Sequence, residues 1–290
     1  MRWSVALRLG RVSNLPTVWT NTLAGVVLAG ADVTDPKSVP LIVALSLFYV
    51  AGMYLNDAYD AEIDARERPE RPIPSGEVSA ETVFAVGFGM MALGLALLAW
   101  VGYGAPGGTG IGPLMGGLGL GAAIVLYNRR HKDNPLSPVL MGICRMLVYA
   151  TAGLAVVEDL PSPLMIGALL LLCYLIGLTY VAKQESLGEV RNLWPLLFLG
   201  APVVYALAIA LEGPGAAILC LIFAAWVGIA LGFLARRQPG DVPRAVVSLI
   251  AGISLLDAVL IAGAGALGTA WLAALGFVLT LLLQRFVAGT

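Results

Sequence analysis

Residues 39–64 read VPLIVALSLFYVAGMYLNDAYDAEID, an apolar run that passes directly into a series of carboxylates. About 20 apolar residues in helical form cross the hydrocarbon core of a bilayer, so the first part of this stretch predicts a membrane-spanning helix. The rest of the chain is similar, because 59% of its 290 residues are hydrophobic, 12% are charged and the mean hydropathy is +0.88. The composition predicts an all-α, polytopic membrane helical bundle and excludes a soluble globular domain.

Ten windows of the chain are apolar and long enough to form such spans. The joints between them are turn-forming or charged residues, for example Pro161-Ser162-Pro163. Only Gly and Ala residues separate the last two windows, so the boundary between them is the least clearly marked. The windows cover residues 14–33, 39–58, 81–103, 107–127, 136–157, 162–182, 193–211, 215–235, 243–264 and 266–284.

The basic residues indicate the orientation of the chain in the membrane. If the N-terminus is cytoplasmic, all of the 17 Lys and Arg residues except Lys37 and Arg145 fall on the cytoplasmic side. Two long, polar loops, residues 56–81 and 183–192, lie on the same side. The 17 basic residues are balanced by 18 acidic ones, so no net field attracts a nucleic acid and we expect no nucleic-acid partner.

The carboxylates at the inner end of the second window are the strongest functional signal. On one continuous helix, Asp57, Asp60 and Asp64 fall within about 60° of one another, with Asn56 one turn before Asp60. Oxygen ligands at this spacing can hold Mg²⁺ and leave coordination sites for a phosphate. The alternative is an acidic helix end in water, paired with Arg66 and its neighbours.

A proline-rich loop follows these carboxylates. It reads Arg68-Pro69-Glu70-Arg71-Pro72-Ile73-Pro74-Ser75-Gly76. The prolines stiffen an extended loop, and arginines held in such a loop can bind diphosphate oxygens in a forked geometry. The alternative is an ordinary basic anchor on the cytoplasmic side.

The pattern Asn56-Asp57-x-x-Asp60-x-x-x-Asp64, followed by Arg-Pro-Ile-Pro-Ser-Gly, resembles the first signature of the UbiA superfamily of intramembrane prenyltransferases. The similarity extends over most of the chain and includes the run 11–19, which contains Asn14. It implies a single transmembrane domain over residues 1–290, with a central cavity open to the cytoplasmic face. Members usually have nine spans, so we expect nine or ten transmembrane helices.

The resemblance also implies an activity. Members of this superfamily bind an allylic isoprenyl diphosphate through Mg²⁺ and two Asp-rich motifs, and they transfer the prenyl group to an acceptor. We therefore expect an enzyme, a Mg²⁺-dependent prenyltransferase of the prokaryotic inner membrane. It would take farnesyl or geranylgeranyl diphosphate and a small aromatic or polyol-like acceptor from the lipid bilayer. Three alternatives stay open: a terpene cyclase that needs no acceptor, a transporter and a non-catalytic lipid binder.

The second Asp motif of the superfamily is altered in this chain. When it is aligned on Gly188, its two Asp positions fall on Tyr180 and Gln184. Lys183 could supply the missing positive charge directly to the diphosphate, and Glu185 could ligate a metal or orient Lys183. The alternative is a solvated Lys–Glu pair on a loop. This loop is most similar to the EboC-like branch of the superfamily.

Two charged residues lie inside apolar windows. Arg145 is in the fifth window, where a charge costs at least a few kcal/mol unless it is paired or hydrated. We expect it to face a polar cavity with carboxylates or diphosphate, and the alternative is that it snorkels towards the cytoplasmic face. Its neighbour one turn later is Tyr149. Asp257, in the ninth window, has no obvious partner, and a site role, a packing role and a protonated state all stay open.

The sequence thus predicts a set of site residues. Besides Tyr149, Tyr54 and Trp194 are candidates to stabilise an allylic cation through their ring faces. The basic run 129–132 is either a diphosphate-binding loop or a topology anchor, and we expect His131 within it to be exposed. The predicted metal ligands are Asn56, Asp57, Asp60 and Asp64. The residues predicted to act in catalysis are Asp57, Asp60, Asp64, Lys183 and Arg145; those predicted to bind diphosphate and acceptor are Asn56, Arg68, Arg71, Arg129, Arg130, Lys132, Tyr149, Tyr180, Glu185 and Asn14.

Overall fold

The computed structural model describes residues 1–132, 134–183, 196–236 and 238–289, and the regular structure within these ranges is entirely helical. Two short helices lie outside the predicted windows, α1 (Trp3–Leu9) and α4 (Ala61–Glu67). Each window contains one longer helix. These are α2 (Leu15–Leu28), α3 (Ser38–Tyr59), α5 (Ala80–Tyr103), α6 (Gly112–Arg130), α7 (Ser137–Leu154), α8 (Ser162–Lys183), α9 (Leu197–Ile209), α10 (Pro214–Arg236), α11 (Asp241–Gly263) and α12 (Leu267–Leu283).

Six of the described helices are long and apolar enough to cross a membrane, namely α3, α5, α7, α8, α10 and α11. Helix α12 and the segment Leu197–Glu212 are apolar but shorter. Helix α2 has 14 residues, and α6 carries repeated glycines and ends on two arginines, which lower its mean hydropathy. The all-α membrane fold is confirmed, whereas the count of nine or ten spans is not.

Helices α2 and α11 occupy the centre of the bundle. Helix α11 contacts α2, α8, α9, α10 and α12, and 89% of its apolar window is buried, compared with 28% for the peripheral α5. Helix α5 exposes large apolar side chains such as Leu93 and Trp100. A continuous apolar surface of this kind is stable against lipid tails but not against water.

A glycine brings α2 close to α7. A Cβ atom on Gly25 would lie 2.7 Å from the Cβ of Ala152 and 2.8 Å from the carbonyl oxygen of Tyr149. A small residue at such a crossing lets two helix backbones approach within van der Waals distance. This approach sets Asn21, one turn earlier on α2, against the polar residues of α7.

The acidic stretch does not form the single helix that the sequence predicted. Helix α3 ends at Tyr59, α4 begins at Ala61, and Asp60 lies at the junction, with its carbonyl accepting from the backbone N–H of Asp64 at 2.8 Å. Beyond this junction, Asp64 on α4 is 2% exposed and lines the cavity described below.

The proline loop connects α4 to α5 and carries Arg71 towards these carboxylates. Gly76 ends the loop with a φ of +77°, a conformation that glycine adopts without steric cost. Ser79 then starts α5, because its side-chain oxygen accepts a hydrogen bond from the backbone N–H of Thr82.

Candidate active site

A cavity of about 860 Å³ lies between α2, α3, α6, α7, α8 and α11. One end is lined by exposed charged residues, and we call this end the mouth; it includes Glu67, Arg68, Lys132 and Lys183. The interior is lined by apolar side chains. These include Val18, Leu45, Phe48, Ile124, Val148, Leu175, Leu178 and Ile253. The cavity therefore suits an amphiphile with a charged head and an apolar tail.

Three buried carboxylates stand at the mouth, and each is paired with a cation. Arg71 links two of them, because its Nη1 lies 2.7 Å from Asp64 Oδ2 and 3.4 Å from Asp57 Oδ1. Asp60 Oδ2 lies 3.3 Å from His131 Nε2 and 3.9 Å from the Lys132 ammonium. The structure thus brings together the acidic stretch, the proline loop and the end of the basic run. His131 is half-buried in the cavity wall, so the prediction that it is exposed was wrong.

Arg11 completes this cluster, although it was not among the predicted site residues. Its Nη2 donates to Asp57 Oδ1 at 3.1 Å and to Asn56 Oδ1 at 3.3 Å. Among the described non-glycine residues, Arg11 alone has a positive φ, 41°, a left-handed conformation that costs about 1–2 kcal/mol. The contacts of its side chain offset that strain. The feature of the sequence that could have identified Arg11 as a site residue is its place in the run 11–19, three residues before Asn14.

Asn128 was also missed by the sequence analysis. Its Nδ2 donates to the carbonyl of Gly52 at 3.0 Å, and its Oδ1 accepts from Asn56 Nδ2 at 3.3 Å. This side chain therefore ties the end of α6 to α3 beside the acidic cluster. It lies directly before the basic run 129–132 that the sequence singled out.

Lys183 and Asn14, two of the predicted site residues, both line the cavity. Lys183 Nζ donates to the carbonyl of Asn134 at 2.7 Å and to Ser137 Oγ at 3.0 Å, which places the ammonium near the start of α7. Asn14 Nδ2 donates to the carbonyl of Gly289 at 2.8 Å. Glu185, Gln184 and Trp194 lie outside the described residues.

Several predicted site residues do not line this cavity. Arg129 and Arg130 are exposed and line a different groove of about 690 Å³ between α5 and α6, because successive residues at the end of α6 point to different sides. Tyr180 is half-buried on α8 outside the cavity lining, and Tyr54 donates its hydroxyl to the carbonyl of Ala6. The aromatic residues of the cavity wall are instead Phe48, Tyr49 and Tyr127.

Arg145 lies deeper in the cavity wall, where the sequence placed an intramembrane charge facing a polar cavity. Its guanidinium carbon is 5.3 Å from the ring centroid of Tyr49, and its Nη1 donates to Asn21 Oδ1 at 2.9 Å. Tyr149 is fully buried behind this wall and donates to Asp257 at 2.5 Å. Asp257, which had no obvious partner in the sequence, accepts hydrogen bonds from three side chains.

The donor set at the mouth fits Mg²⁺ by its chemistry, because carboxylate and amide oxygens are the ligands this ion takes. Asn56, Asp60 and Asp64 all line the cavity, with Asp57 beside them. Within the described ranges, however, no group of three or more Asp, Glu, His or Cys side chains is close enough to hold one ion. The carboxylates contact basic partners instead, with Arg71 between Asp57 and Asp64 and His131 beside Asp60.

Comparison with known proteins identifies the family. The model of the UbiA prenyltransferase family matches residues 18–250. The chain belongs to this family. The superfamily resemblance seen in the sequence is thereby confirmed, whereas assignment to the EboC-like branch stays a prediction.

The relatives that match by sequence include two digeranylgeranylglyceryl phosphate synthases. The protein from Metallosphaera sedula is 36% identical over 98 residues, which cover 33% of this chain and 34% of the relative. The protein from Ignicoccus hospitalis is 34% identical over 123 residues, which cover 42% of this chain and 36% of the relative. The matched segments thus span about a third of the length of these relatives.

Two solved structures share the fold. A UbiA homologue from Aeropyrum pernix superposes with a TM-score of 0.65 at 17% identity, covering 91% of this chain and 98% of that one. A digeranylgeranylglyceryl phosphate synthase structure gives a TM-score of 0.62 at 20% identity, covering 90% and 98%. At these identities the likeness establishes the UbiA-type fold.

Proposed function

We propose that this protein is an intramembrane prenyltransferase that moves an isoprenyl group from its diphosphate to a small acceptor. One observation carries the proposal: a single cavity joins a charged mouth to an apolar interior. An isoprenyl diphosphate has the same division into a charged head and an apolar tail. Family membership and the names of the matched relatives support the same reaction class.

The acceptor that we propose is a glyceryl phosphate that already carries one prenyl chain. The relatives are named for a product with two geranylgeranyl groups. By balance of atoms, that product forms from geranylgeranyl diphosphate and geranylgeranylglyceryl phosphate. Such an acceptor belongs to the polyol-like class predicted from the sequence, and its single prenyl chain would lie in lipid or in the apolar cavity.

The residues of the mouth would bind the diphosphate and favour its departure. Arg68, Arg71, Lys132 and Lys183 present cationic donors to the cavity, and such donors stabilise the charge that builds on a leaving diphosphate. The allylic C–O bond breaks and its electron pair leaves with the diphosphate. The acceptor hydroxyl oxygen then forms the new C–O bond, and its proton passes to the released diphosphate.

Mg²⁺, when bound by Asn56, Asp57, Asp60 and Asp64, would supply additional positive charge to the diphosphate. These carboxylates would hold the ion, and the arginines and His131 that now contact them could then donate to the diphosphate oxygens. The aromatic faces of Tyr49 and Tyr127 lie in the wall where positive charge would develop on the prenyl group, and the apolar lining excludes water from that carbon.

The proposed location is the prokaryotic inner membrane, with the mouth on the cytoplasmic side. Basic residues are concentrated at this end of the helices, and such residues are enriched on the cytoplasmic side of bacterial and archaeal membranes. A diphosphate made in the cytoplasm would then reach the mouth without crossing the bilayer.

Direct binding tests the diphosphate site before the acceptor is known. Farnesyl and geranylgeranyl diphosphate are titrated into the purified protein with Mg²⁺ and with a chelator, using wild type, Asp60→Asn and the control Glu62→Gln. Glu62 is exposed on α4 and does not line the cavity. We expect binding that needs Mg²⁺, is lost in Asp60→Asn and is kept in Glu62→Gln. No binding by wild type under any metal condition would refute the proposal.

Turnover then separates the transferase from a cyclase. Wild-type protein in lipid is given geranylgeranyl diphosphate with or without geranylgeranylglyceryl phosphate, and products are identified by mass spectrometry. We expect an ether-linked product with two prenyl chains only when the acceptor is present. A cyclic hydrocarbon formed without acceptor would replace the transferase assignment.

A further inference from the structure

A buried polar network lies behind the cavity wall and does not take part in the mouth cluster. Asp257 on α11 is fully buried and lies 2.5 Å from Thr20 Oγ1 and 2.5 Å from the Tyr149 hydroxyl. Asn21 Nδ2 donates to both of its oxygens, at 3.0 and 2.8 Å. Three helices, α2, α7 and α11, therefore meet at one carboxylate. Burying an ionisable group at membrane depth is costly, so its retention suggests a use.

The hydrogen bonds that link the cavity to Asp257 all run in one direction, because Arg145 donates to Asn21 and Asn21 donates to Asp257. A carboxylate that accepts hydrogen bonds selects the NH₂ end of the Asn21 amide, because that end is its only donor. The carbonyl end must then point away from Asp257, and there it accepts from Arg145 Nη1 at 2.9 Å. A guanidinium has only donors. A reversed Asn21 amide would therefore place its NH₂ group against the N–H donors of Arg145 and its carbonyl oxygen against the carboxylate of Asp257. Asp257 thus fixes the amide, and the amide fixes the guanidinium.

Arg145 is held without a direct ionic partner. Among the parts of the chain that the structure describes, its polar contact is with neutral Asn21, and its guanidinium stacks over the Tyr49 ring at 5.3 Å. The side chain lines the cavity, whereas Asp257 is 0% exposed behind it. Arg145 therefore presents charge and further N–H donors to whatever occupies this part of the cavity. A guanidinium in this setting favours an anionic oxygen group.

The position of Arg145 is separate from the mouth cluster. The Tyr49 hydroxyl donates to the backbone carbonyl of Arg11 at 3.3 Å, while its ring faces Arg145. One aromatic side chain thus stands between Arg145 and the arginine that pairs with Asp57. Among the described residues, the cavity lining thus carries cations in two places: at the mouth, where carboxylates contact them, and deeper at Arg145, which contacts no carboxylate.

We propose that Arg145 binds the anionic headgroup of the acceptor, and that Asn21 and Asp257 are positioning residues that hold Arg145 for this task. The inference rests on the proposed function, because it assigns the mouth cluster to the diphosphate. Two separate cationic positions would let two anionic substrates bind in one cavity without competing for the same donors. Arg145 thereby discriminates between a phosphorylated acceptor and its uncharged form.

Steady-state kinetics with two acceptors tests this assignment. Geranylgeranylglyceryl phosphate and its dephosphorylated form, geranylgeranylglycerol, are compared in wild type, Asn21→Ala, Asp257→Asn and Arg145→Met. Loss of a charge-assisted hydrogen bond predicts a KM for the phosphorylated acceptor raised by about tenfold or more in each variant. We expect kcat/KM for geranylgeranylglycerol and the Kd for geranylgeranyl diphosphate to stay within about twofold of wild type, because neither uses Arg145.

Matched controls separate positioning from general damage to the core. Thr22→Val changes a buried residue next to Asn21 whose hydroxyl bonds within α2, and Tyr174→Phe removes a buried hydroxyl that donates to Leu249. Both should leave the acceptor preference unchanged. Asn21→Gln, which keeps an amide, should recover part of the preference. Where Asp257→Asn fails to fold, Tyr149→Phe removes one donor to the same carboxylate and should give a smaller shift of the same kind.

The outcomes distinguish this inference from the proposed function. If wild type transfers prenyl groups and the Asn21 and Arg145 variants keep the wild-type preference for the phosphorylated acceptor, the inference is wrong and the function stands. The inference is also wrong if these variants lose kcat/KM equally for both acceptors, or if they lose affinity for geranylgeranyl diphosphate to a similar extent. If wild type binds no prenyl diphosphate, the proposed function itself fails.

Discussion

The cavity mouth and the network around Asp257 are both built on buried carboxylates, but they satisfy them differently. At the mouth, Asp57, Asp60 and Asp64 are paired with Arg and Lys side chains that come from loops and helix ends. Around Asp257, the hydrogen bonds come from the neutral side chains of Thr20, Asn21 and Tyr149, all within packed helices. The mouth pairs buried carboxylates with charged side chains beside exposed residues, whereas the deeper network consists of neutral donors within packed helices.

This difference indicates different roles. Charged partners on a loop can exchange one anion for another, so Arg71 can leave a carboxylate for a diphosphate oxygen when a metal replaces it. Neutral donors between helices cannot move without opening the core, which is close-packed. The mouth is therefore suited to binding and release, and the network to holding one cation in a constant orientation.

The largest effect is expected when the mouth loses its central cation. Arg71→Met leaves Asp57 and Asp64 without this partner, and an uncompensated buried charge costs about 3–5 kcal/mol. We expect diphosphate affinity to fall by at least about hundredfold and the thermal midpoint in detergent to decrease. Adding Asp64→Asn to this variant should restore the midpoint but not the affinity. A variant that keeps both properties would show that the ion pairs are incidental.

A medium effect is expected when the helix spacing behind the deeper network changes. Gly25→Ala forces a methyl group towards Ala152 and the Tyr149 carbonyl, and overpacking of this kind costs about 1–3 kcal/mol. Gly89→Ala on exposed α5 meets nothing within 4 Å and is the control. We expect Gly25→Ala to lower the thermal midpoint and weaken use of the phosphorylated acceptor, while diphosphate binding persists. Equal midpoints for the two variants would contradict the close α2–α7 packing.

The smallest effect is expected at the outer groove of α6. Arg129 and Arg130 line that groove and not the cavity, so replacing both by Ala should change diphosphate affinity by less than about threefold, through screened long-range attraction alone. Arg68→Ala at the mouth is the comparison and should cost more. Titration at two salt concentrations measures both. A larger loss of diphosphate affinity in the double variant would support the direct contact with the diphosphate that the sequence predicted.

The sequence singled out the acidic and proline-rich part of the mouth because those residues are close together in the chain, whereas the other cations of the mouth come from distant segments. Asn56 to Arg71 form one continuous segment, so spacing and residue type were enough to indicate an anion- and metal-binding site. The same reasoning placed Arg129 and Arg130 at the site, since their basic character was visible and the direction of their side chains was not. His131 was misjudged for the same reason, because its partner Asp60 is far away in the sequence.

The network around Asp257 could not be predicted in this way. Its members come from three helices, and Thr20 and Asp257 are 237 positions apart. No local pattern links them, and polar residues inside an apolar window have several explanations. The break at Asp60 also escaped prediction, because helical periodicity continues through it.

The sequence by itself determined the membrane class, the helical windows and the family signature, because apolar run length and residue spacing are local quantities. The tertiary structure alone decided which charged groups meet, which arginines face the cavity and how Arg145 is held. These depend on helix rotation and on close approaches such as the one at Gly25, where a single methyl group changes the spacing between two helices. Contacts of this kind are set by the packing of the whole bundle and by no single segment of the chain.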